Sequence, residues 1–255
     1  MKNNIIINDF SIDHVVINID KNYQEDKTII EKIKASGLFY EPSKGKGTRG
    51  FKASNIWIGD EYLELIQIKT KDGGGWRKNW VEKYNSGHRG VIGLFLKTEN
   101  IENTGKLLKD FQITSPERIV FPMIFNLVHI SAKWRNSYLP FLSGVPLQLG
   151  FQQVDNKKIE ANMRKRMQPN SEKNGFFGIK TIKFFGDFSI EDFETIKKIF
   201  SCNEITENHI EIPLNNEQYI HFYIDTINKT QIFIDSKNKD LVPLEIENVL
   251  LLSKE

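Results

Sequence analysis

Two residues carry the strongest chemical signal in this chain: His14, in the segment IDHVVINI, and Glu64, in GDEYLELIQI. An imidazole can bind or relay a proton near neutral pH. A carboxylate set among Leu63, Leu65 and Ile66 is costly to bury unless it is paired or coordinated. Arg49 offers one cation for such a pair. It follows Lys44, Lys46 and Thr48 on the glycine-rich stretch SKGKGTRG, where backbone N–H groups can approach an anion. That stretch reads either as a solvated loop or as a grip on a carboxylate or phosphate, and it lacks the GxxxxGK[ST] order of a nucleotide loop. Asn18, Trp57, Trp134 and Arg135 are of the types that line small-molecule pockets, in which apolar walls carry a few polar groups. His88, between Gly87 and Arg89, reads as a loop histidine. Cys202 reads as a free thiol without an activating partner, and Trp76 and Trp80 of DGGGWRKNW as packing residues one helical turn apart.

These side chains need elements to position them. Ile12–Ile19 is rich in β-branched residues and predicts a strand with His14, Val16 and Asn18 on one face and Val15, Ile17 and Ile19 on the other. Residues Gln24–Ser36 place Ile29, Ile30 and Ile33 at helical spacing, so the helix covers the apolar face and leaves His14 on the opposite one. Phe51–Ile58 and Tyr62–Ile68 then form a hairpin about Gly59 and Asp60. The order of strand, helix and further strands recurs. In the second copy Val91–Lys97 is the strand, Ile101–Phe111 the helix, and Ile119–Ile130 and Tyr138–Leu142 the later strands. In the third, Ile179–Phe185 precedes a helix over Ile190–Phe200 and strands over His209–Leu214 and Tyr219–Ile224, with Gln231–Asp235 extending the sheet. The polar stretch Asp155–Gly178, with Arg164, Lys165 and Arg166, reads as a connector.

In order and spacing, IDHVVINI, a helix and GDEYLELIQI resemble the first module of the glyoxalase-like domains of the vicinal-oxygen-chelate superfamily. HRGVIGLFLKTENIENTGKLLKDF with YLPFLSGV resembles the second module, and QPNSEKNGFFGIKTIKFFG the join into an extra C-terminal one. The resemblance implies an α+β fold of repeated βαβββ modules, whose cupped mixed sheets carry helices on the outside. It implies a glyoxalase-like domain over 10–150, in modules at about 12–70 and 88–150, a connector at 151–177 and a third module over 178–255. By the same likeness His14 and Glu64 are the metal ligands of a divalent ion (Zn, Fe, Mn or Ni); on the enzyme reading of the residues themselves Glu64 also takes a substrate proton, and Arg49, Trp57, Asn18 and Arg135 bind substrate. The ligand set is incomplete. The position matching His14 falls near Val91 or Ile92 in the second module and at Lys180 in the third, and that matching Glu64 falls at Pro140 and at His221. Two readings of function follow: a metal-dependent lyase, isomerase or dioxygenase acting on a small oxygenated compound, or a binding protein that sequesters a small molecule in the same cup. The modules can pair within one chain or across a homodimer, and both pairings stay open.

Composition narrows the partners. Among 255 residues, 35 Lys and Arg against 33 Asp and Glu leave a formal charge of +2, too small a field to attract nucleic acid. A hydrophobic share of 39% with 27% charged residues is that of a compact globular chain. No apolar run approaches the roughly 20 residues needed to cross a bilayer. A single cysteine and an N-terminal stretch without an apolar secretory core lead to the expectation of a cytoplasmic protein.

Overall fold

The computed structural model describes residues 10–123, 128–162, 165, 175–200, 202, 204–237 and 242–253. The first sheet takes β1 (Ser11–Asn18), β2 (Lys46–Gly47), β3 (Phe51–Ile58), β4 (Glu61–Ile68), β5 (Gly90–Lys97), β8 (Trp134–Phe141) and β9 (Gln148–Val154), in the order β2-β3-β4-β1-β5-β9-β8. The second takes β10 (Phe176–Gly186), β11 (Glu204–Thr206), β12 (His209–Leu214), β13 (Gln218–Ile224), β14 (Lys229–Ser236), β15 (Leu244–Ile246) and β16 (Val249–Ser253), in the order β11-β12-β13-β10-β14-β16-β15. A separate hairpin joins β6 (Val120–Met123) to β7 (Val128–Ser131).

The two sheets repeat one plan. In each, a central antiparallel pair, β1 with β5 or β10 with β14, is flanked by parallel neighbours: β4 and β9 in the first, β13 and β16 in the second. The helices α1 (Asn22–Glu25), α2 (Lys27–Ala35), α3 (Lys78–Asn85), α4 (Ile101–Leu107) and α5 (Ile190–Phe200) complete the α+β architecture expected from the sequence. Asp26 breaks the first expected helix in two, because its carboxylate accepts from the N–H groups of Thr28 and Ile29 and so caps α2.

Three expectations change. The second module ends with β9, so Phe151, fully buried, belongs to its sheet and not to a connector beginning at 151. Within the expected strand Ile119–Ile130, β6 and β7 pair with each other rather than with the main sheet, and 124–127 lie outside the described residues, as do Arg164 and Arg166. The C-terminal part, expected as one module over 178–255, folds as two: β10-α5-β12-β13 and then β14 with β15 and β16.

Alternation sorts the side chains of β1 as its pattern requires. Val15, Ile17 and Ile19 enter a continuous apolar core with Ile33, Leu94, Leu96, Ile182 and Phe222, so the same cluster takes in residues of both sheets. Val16 faces the other way, into a second cluster with Phe51, Ile66, Trp80, Ile92, Phe95 and Tyr138. Polar bridges fasten the halves. Gln218 accepts from Ile12 N–H at 2.8 Å and donates to Glu61 at 2.8 Å, and Glu61 also accepts from Ile179 N–H at 3.0 Å. Asp192 of α5 accepts from the N–H groups of Ser143, Gly144 and Ser189 at 2.6–3.0 Å, tying the β8–β9 turn to the second sheet.

Candidate functional site

His14 and Glu64 lie on the same, concave face of the first sheet. Their strands are parallel neighbours in which His14 stands opposite Tyr62 and Val16 opposite Glu64. His14 is 3% exposed, and its ring is clamped between Phe95 (centroids 4.3 Å apart, planes within 8°) and Tyr62 (4.6 Å, 8°). The pairing of β1 with β5 slips between Ile12 and His14, leaving Asp13 as the extra residue of a bulge. The bulge turns the Asp13 side chain back onto its neighbour: Oδ1 sits 2.5 Å from His14 Nδ1 and accepts from Gln152 Nε2 at 2.7 Å.

Glu64 is half-buried on this face, on the same strand as Tyr62 and diagonal to Trp57, which tilts against Tyr62 at 4.3 Å. Burial pushes the Glu64 carboxyl above the ordinary carboxylate range; His14 pulls the other way and Asp13 adds to the rise. The Tyr62 hydroxyl is pushed well up, chiefly by burial and then by Asp13 and Glu64. Asn18, 1% exposed on the same face of β1, has neither amide oxygen nor nitrogen hydrogen-bonded among the described residues.

The other expected residues scatter. Arg135 lies on the convex side, where it pairs with Glu102 of α4 and donates to Gln153 at 3.0 Å. It cannot line the cup, because successive residues of a strand face opposite sides and its neighbour Asn136 takes the concave position beside Tyr138. Arg49 is exposed in the turn before Phe51, and Phe51 is itself four residues along β3 from Asn55, the partner of Glu64. At about 3.3 Å per residue that is some 13 Å, so the two charges do not pair. The glycine-rich turn is instead fastened to the linker: Thr48 Oγ1 donates to Gly74 O at 2.9 Å and accepts from Gly50 N–H at 3.1 Å. His88, near Val91 O at 3.0 Å, and the half-buried Cys202 lie elsewhere, and burial moves both away from reactivity, lowering the imidazole and raising the thiol.

The register supplies the counterparts of His14 and Glu64, and corrects those expected. The β1–β5 pairing is its own image: His14 faces Phe95 as Val16 faces Gly93, and Ser11 faces Lys97 as Asn18 faces Gly90. The local dyad therefore relates His14 to Gly93, not to Val91 or Ile92. Since Val16 stands opposite Glu64 and Phe95 opposite Gly150, it relates Glu64 to Gly150, not to Pro140. In the second sheet Thr181, opposite Tyr219, takes the place of His14 in preference to Lys180, and His221 takes that of Glu64. His221 Nδ1 there lies 3.0 Å from His209 Nε2 and 3.6 Å from Glu211 Oε2.

Both glycines are filled by their surroundings. A Cβ on Gly93 would lie 2.7 Å from Trp80 Cη2, and one on Gly150 would lie 2.6 Å from Phe95 Cε1. Trp80 stands on α3, the helix between the modules. It is 2% exposed, and its indole N–H donates to Gln148 Oε1 at 2.6 Å while Gln148 donates on to Leu139 O at 2.7 Å. The linker thus enters the cup and packs Trp76, Trp80 and Val81 against its floor, where sequence spacing anticipates packing but not the place. Asp13, Phe95 and Gln152 were not legible as site residues; they arrive through a bulge and two strand pairings that leave no local motif.

The divalent metal implied by the family resemblance does not fit this donor set. A stable site takes three or four protein ligands, and this chain offers an imidazole already bonded to Asp13, one carboxylate, and two glycines whose space is occupied by rings. Among the described residues no group of three His, Cys, Asp or Glu side chains converges as a metal site.

No model of a protein family matches the chain, and no curated protein matches it. Among solved structures, a hypothetical protein from Staphylococcus aureus superposes with a TM-score of 0.68 at 15% identity, covering 95% of this chain and 98% of that one. A hypothetical protein from Bacillus halodurans C-125 (TM-score 0.38, 12% identity, covering 58% of this chain and 96% of that one) is a looser match. Methylmalonyl-CoA epimerase from Mycobacterium tuberculosis (0.38, 11%, 59% and 91%) is another, and neither carries an argument about function. No helix among the described residues is long and apolar enough to cross a membrane. The full-length likeness to the Staphylococcus aureus protein is one of fold alone, and it spans both sheets with their repeated strand plan.

Proposed function

We propose that this chain is a small-molecule-binding protein with a glyoxalase-like cup that works without a resident metal. The observation that supports this reading is the replacement of the dyad-related ligand positions by Gly93 and Gly150, whose side-chain space is taken by Trp80 and Phe95. What remains on the concave face is an aromatic wall of Trp57, Tyr62 and His14, the half-buried carboxylate of Glu64, the Asp13 carboxylate held by His14 and Gln152, and the unsatisfied amide of Asn18. That mixture, apolar surface with a few convergent polar groups, is the composition of a ligand pocket. Arg49 and Arg135 have no part in it.

A proton-transfer role for Glu64 is a second reading, favoured by one observation: burial holds its carboxyl above the usual range, toward the pH at which it can both take and return a proton. In both readings the chain's own residues bind and orient the ligand.

The deciding experiment is a thermal-shift screen of small aromatic compounds before and after exhaustive chelation, with metal content measured alongside. A ligand that binds the native state raises Tm by mass action, and the reading expects the same rise in both samples. Stoichiometric metal, lost in His14→Ala together with a ligand shift that chelation abolishes, would overturn it in favour of a metal-dependent enzyme.

A further inference from the structure

Resting on the reading of the cup as a small-molecule site, we infer that its ligand is an organic cation, a protonated amine on an apolar or aromatic body, with Glu64 as counter-ion. Two acidic side chains, Asp13 and Glu64, stand on this face. The cationic groups near it have partners of their own: His14, whose charge pulls on Glu64, is bonded through Nδ1 to Asp13. Arg77 pairs with Glu117 at 2.7 Å while stacking 3.4 Å above the Tyr138 ring, and Lys97 pairs with Glu160. No Lys or Arg among the described residues forms an ion pair with Glu64.

Each ligand class meets this arrangement differently. An anion would face two carboxylates, with the nearby cations already paired. A neutral molecule would cover Glu64 and leave it unpaired in a poorly solvated place, which costs more than it gains. A bare metal ion meets too few donors. A protonated amine satisfies the carboxylate with a charge-assisted hydrogen bond. It also places positive charge against the rings of Trp57 and Tyr62, whose faces attract cations through the ring quadrupole. Asn18 is the independent sign of a ligand. It is 1% exposed, on the same face of β1 two residues beyond Val16, the partner of Glu64, and its amide oxygen is an unused acceptor suited to a second ammonium N–H.

Three probes of one shape test this: benzylammonium, benzyl alcohol and benzoate, titrated into the full chain at pH 7.5 by calorimetry or by tryptophan fluorescence. The expected result is that benzylammonium binds at least tenfold more tightly than either of the others, and that Glu64→Gln, checked for folding by circular dichroism, reduces the preference to less than about twofold. Equal binding of all three, or tightest binding of benzoate, would overturn the cationic ligand while leaving the cup as a small-molecule site. Should Glu64→Gln fail to fold, the comparison in the wild-type protein still decides, and Trp57→Leu, with the wall removed and the charge kept, should weaken benzylammonium by about fivefold or more. Absence of any binding by all three probes would remove both the cation and the small-molecule reading.

Discussion

The Cη2 atom of Trp80 lies 2.7 Å from the point at which a side chain on Gly93 would begin. The contact couples the helix between the modules to the strand position that mirrors His14, and it converts one half of a symmetric cup into packed core. Gly93→Ala should therefore overpack the site and cost about 2 kcal/mol, while in a Trp80→Phe background the added methyl should cost less than about 1 kcal/mol. A double-mutant cycle by urea denaturation reads the coupling directly. Additive costs would show that the indole and the glycine do not constrain each other.

Trp57 and Arg135 are both of pocket-lining type, yet only Trp57 stands on the concave face. Trp57→Ala should abolish or greatly weaken any ligand-induced thermal shift, while Arg135→Ala should leave it unchanged and alter stability by no more than about 1 kcal/mol, since its ion pair with Glu102 is largely exposed. Loss of ligand response in Arg135→Ala would place the site on the helical side of the sheet instead.

Glu61 gives the protein a pH dependence of known sign. Burial pushes its carboxyl up to about 8 from an ordinary 4.5, outweighing the hydrogen bonds from Ile179 N–H and Gln218 that favour the charge. A carboxyl whose folded value is raised stabilises most when protonated, so its contribution is complete below about 4.5 and is lost as pH climbs through about 8. Unfolding measured from pH 5 to 9 should show a decline of roughly 3–5 kcal/mol attributable to this group, because each tenfold change in proton affinity between the folded and unfolded chain is worth about 1.4 kcal/mol. The slope should flatten in Glu61→Gln; a variant with the wild-type slope would assign the decline to other groups.

Asp192 acts in the opposite direction. Burial alone would raise its carboxyl, but the N–H groups of Ser143, Gly144 and Ser189 together hold it below the usual value. Its stabilisation is present above the ordinary carboxylate range and is lost as pH falls through the lowered folded value. Asp192→Ala should cost about 2–4 kcal/mol at neutral pH, because three backbone donors lose their acceptor. A loss below about 0.5 kcal/mol in denaturant melts would mean that solvent satisfies those donors.

His221 should titrate at about 4 by NMR of its ring proton, held down first by burial and then by His209 and Lys183. Both imidazoles of the pair are then neutral at pH 7, and acidification from the ordinary 6.5 through about 4 should erode stability as His221 is forced to charge. A midpoint near 6.5 would show that the pair opens to water.

What the sequence by itself determined is local. The alternation in IDHVVINI separates the apolar face of β1 from the face that bears His14, Val16 and Asn18, because side chains of a strand alternate whatever its neighbours are. Isoleucines at helical spacing in α2 and apolar side chains in α5, with the modular recurrence of strand and helix, led to the α+β cup for the same reason. Tertiary structure decided what no local pattern encodes: which strand lies beside which, and in what register. Parallel pairing of β5 with β9 made Gly150 rather than Pro140 the counterpart of Glu64. A one-residue bulge brought Asp13 to His14, and a linker helix drove Trp80 into the floor. Partners such as Asp13 and Gln152 are 139 positions apart, and contacts of that span are selected by the packing energy of the whole sheet, to which a window of ten residues is blind.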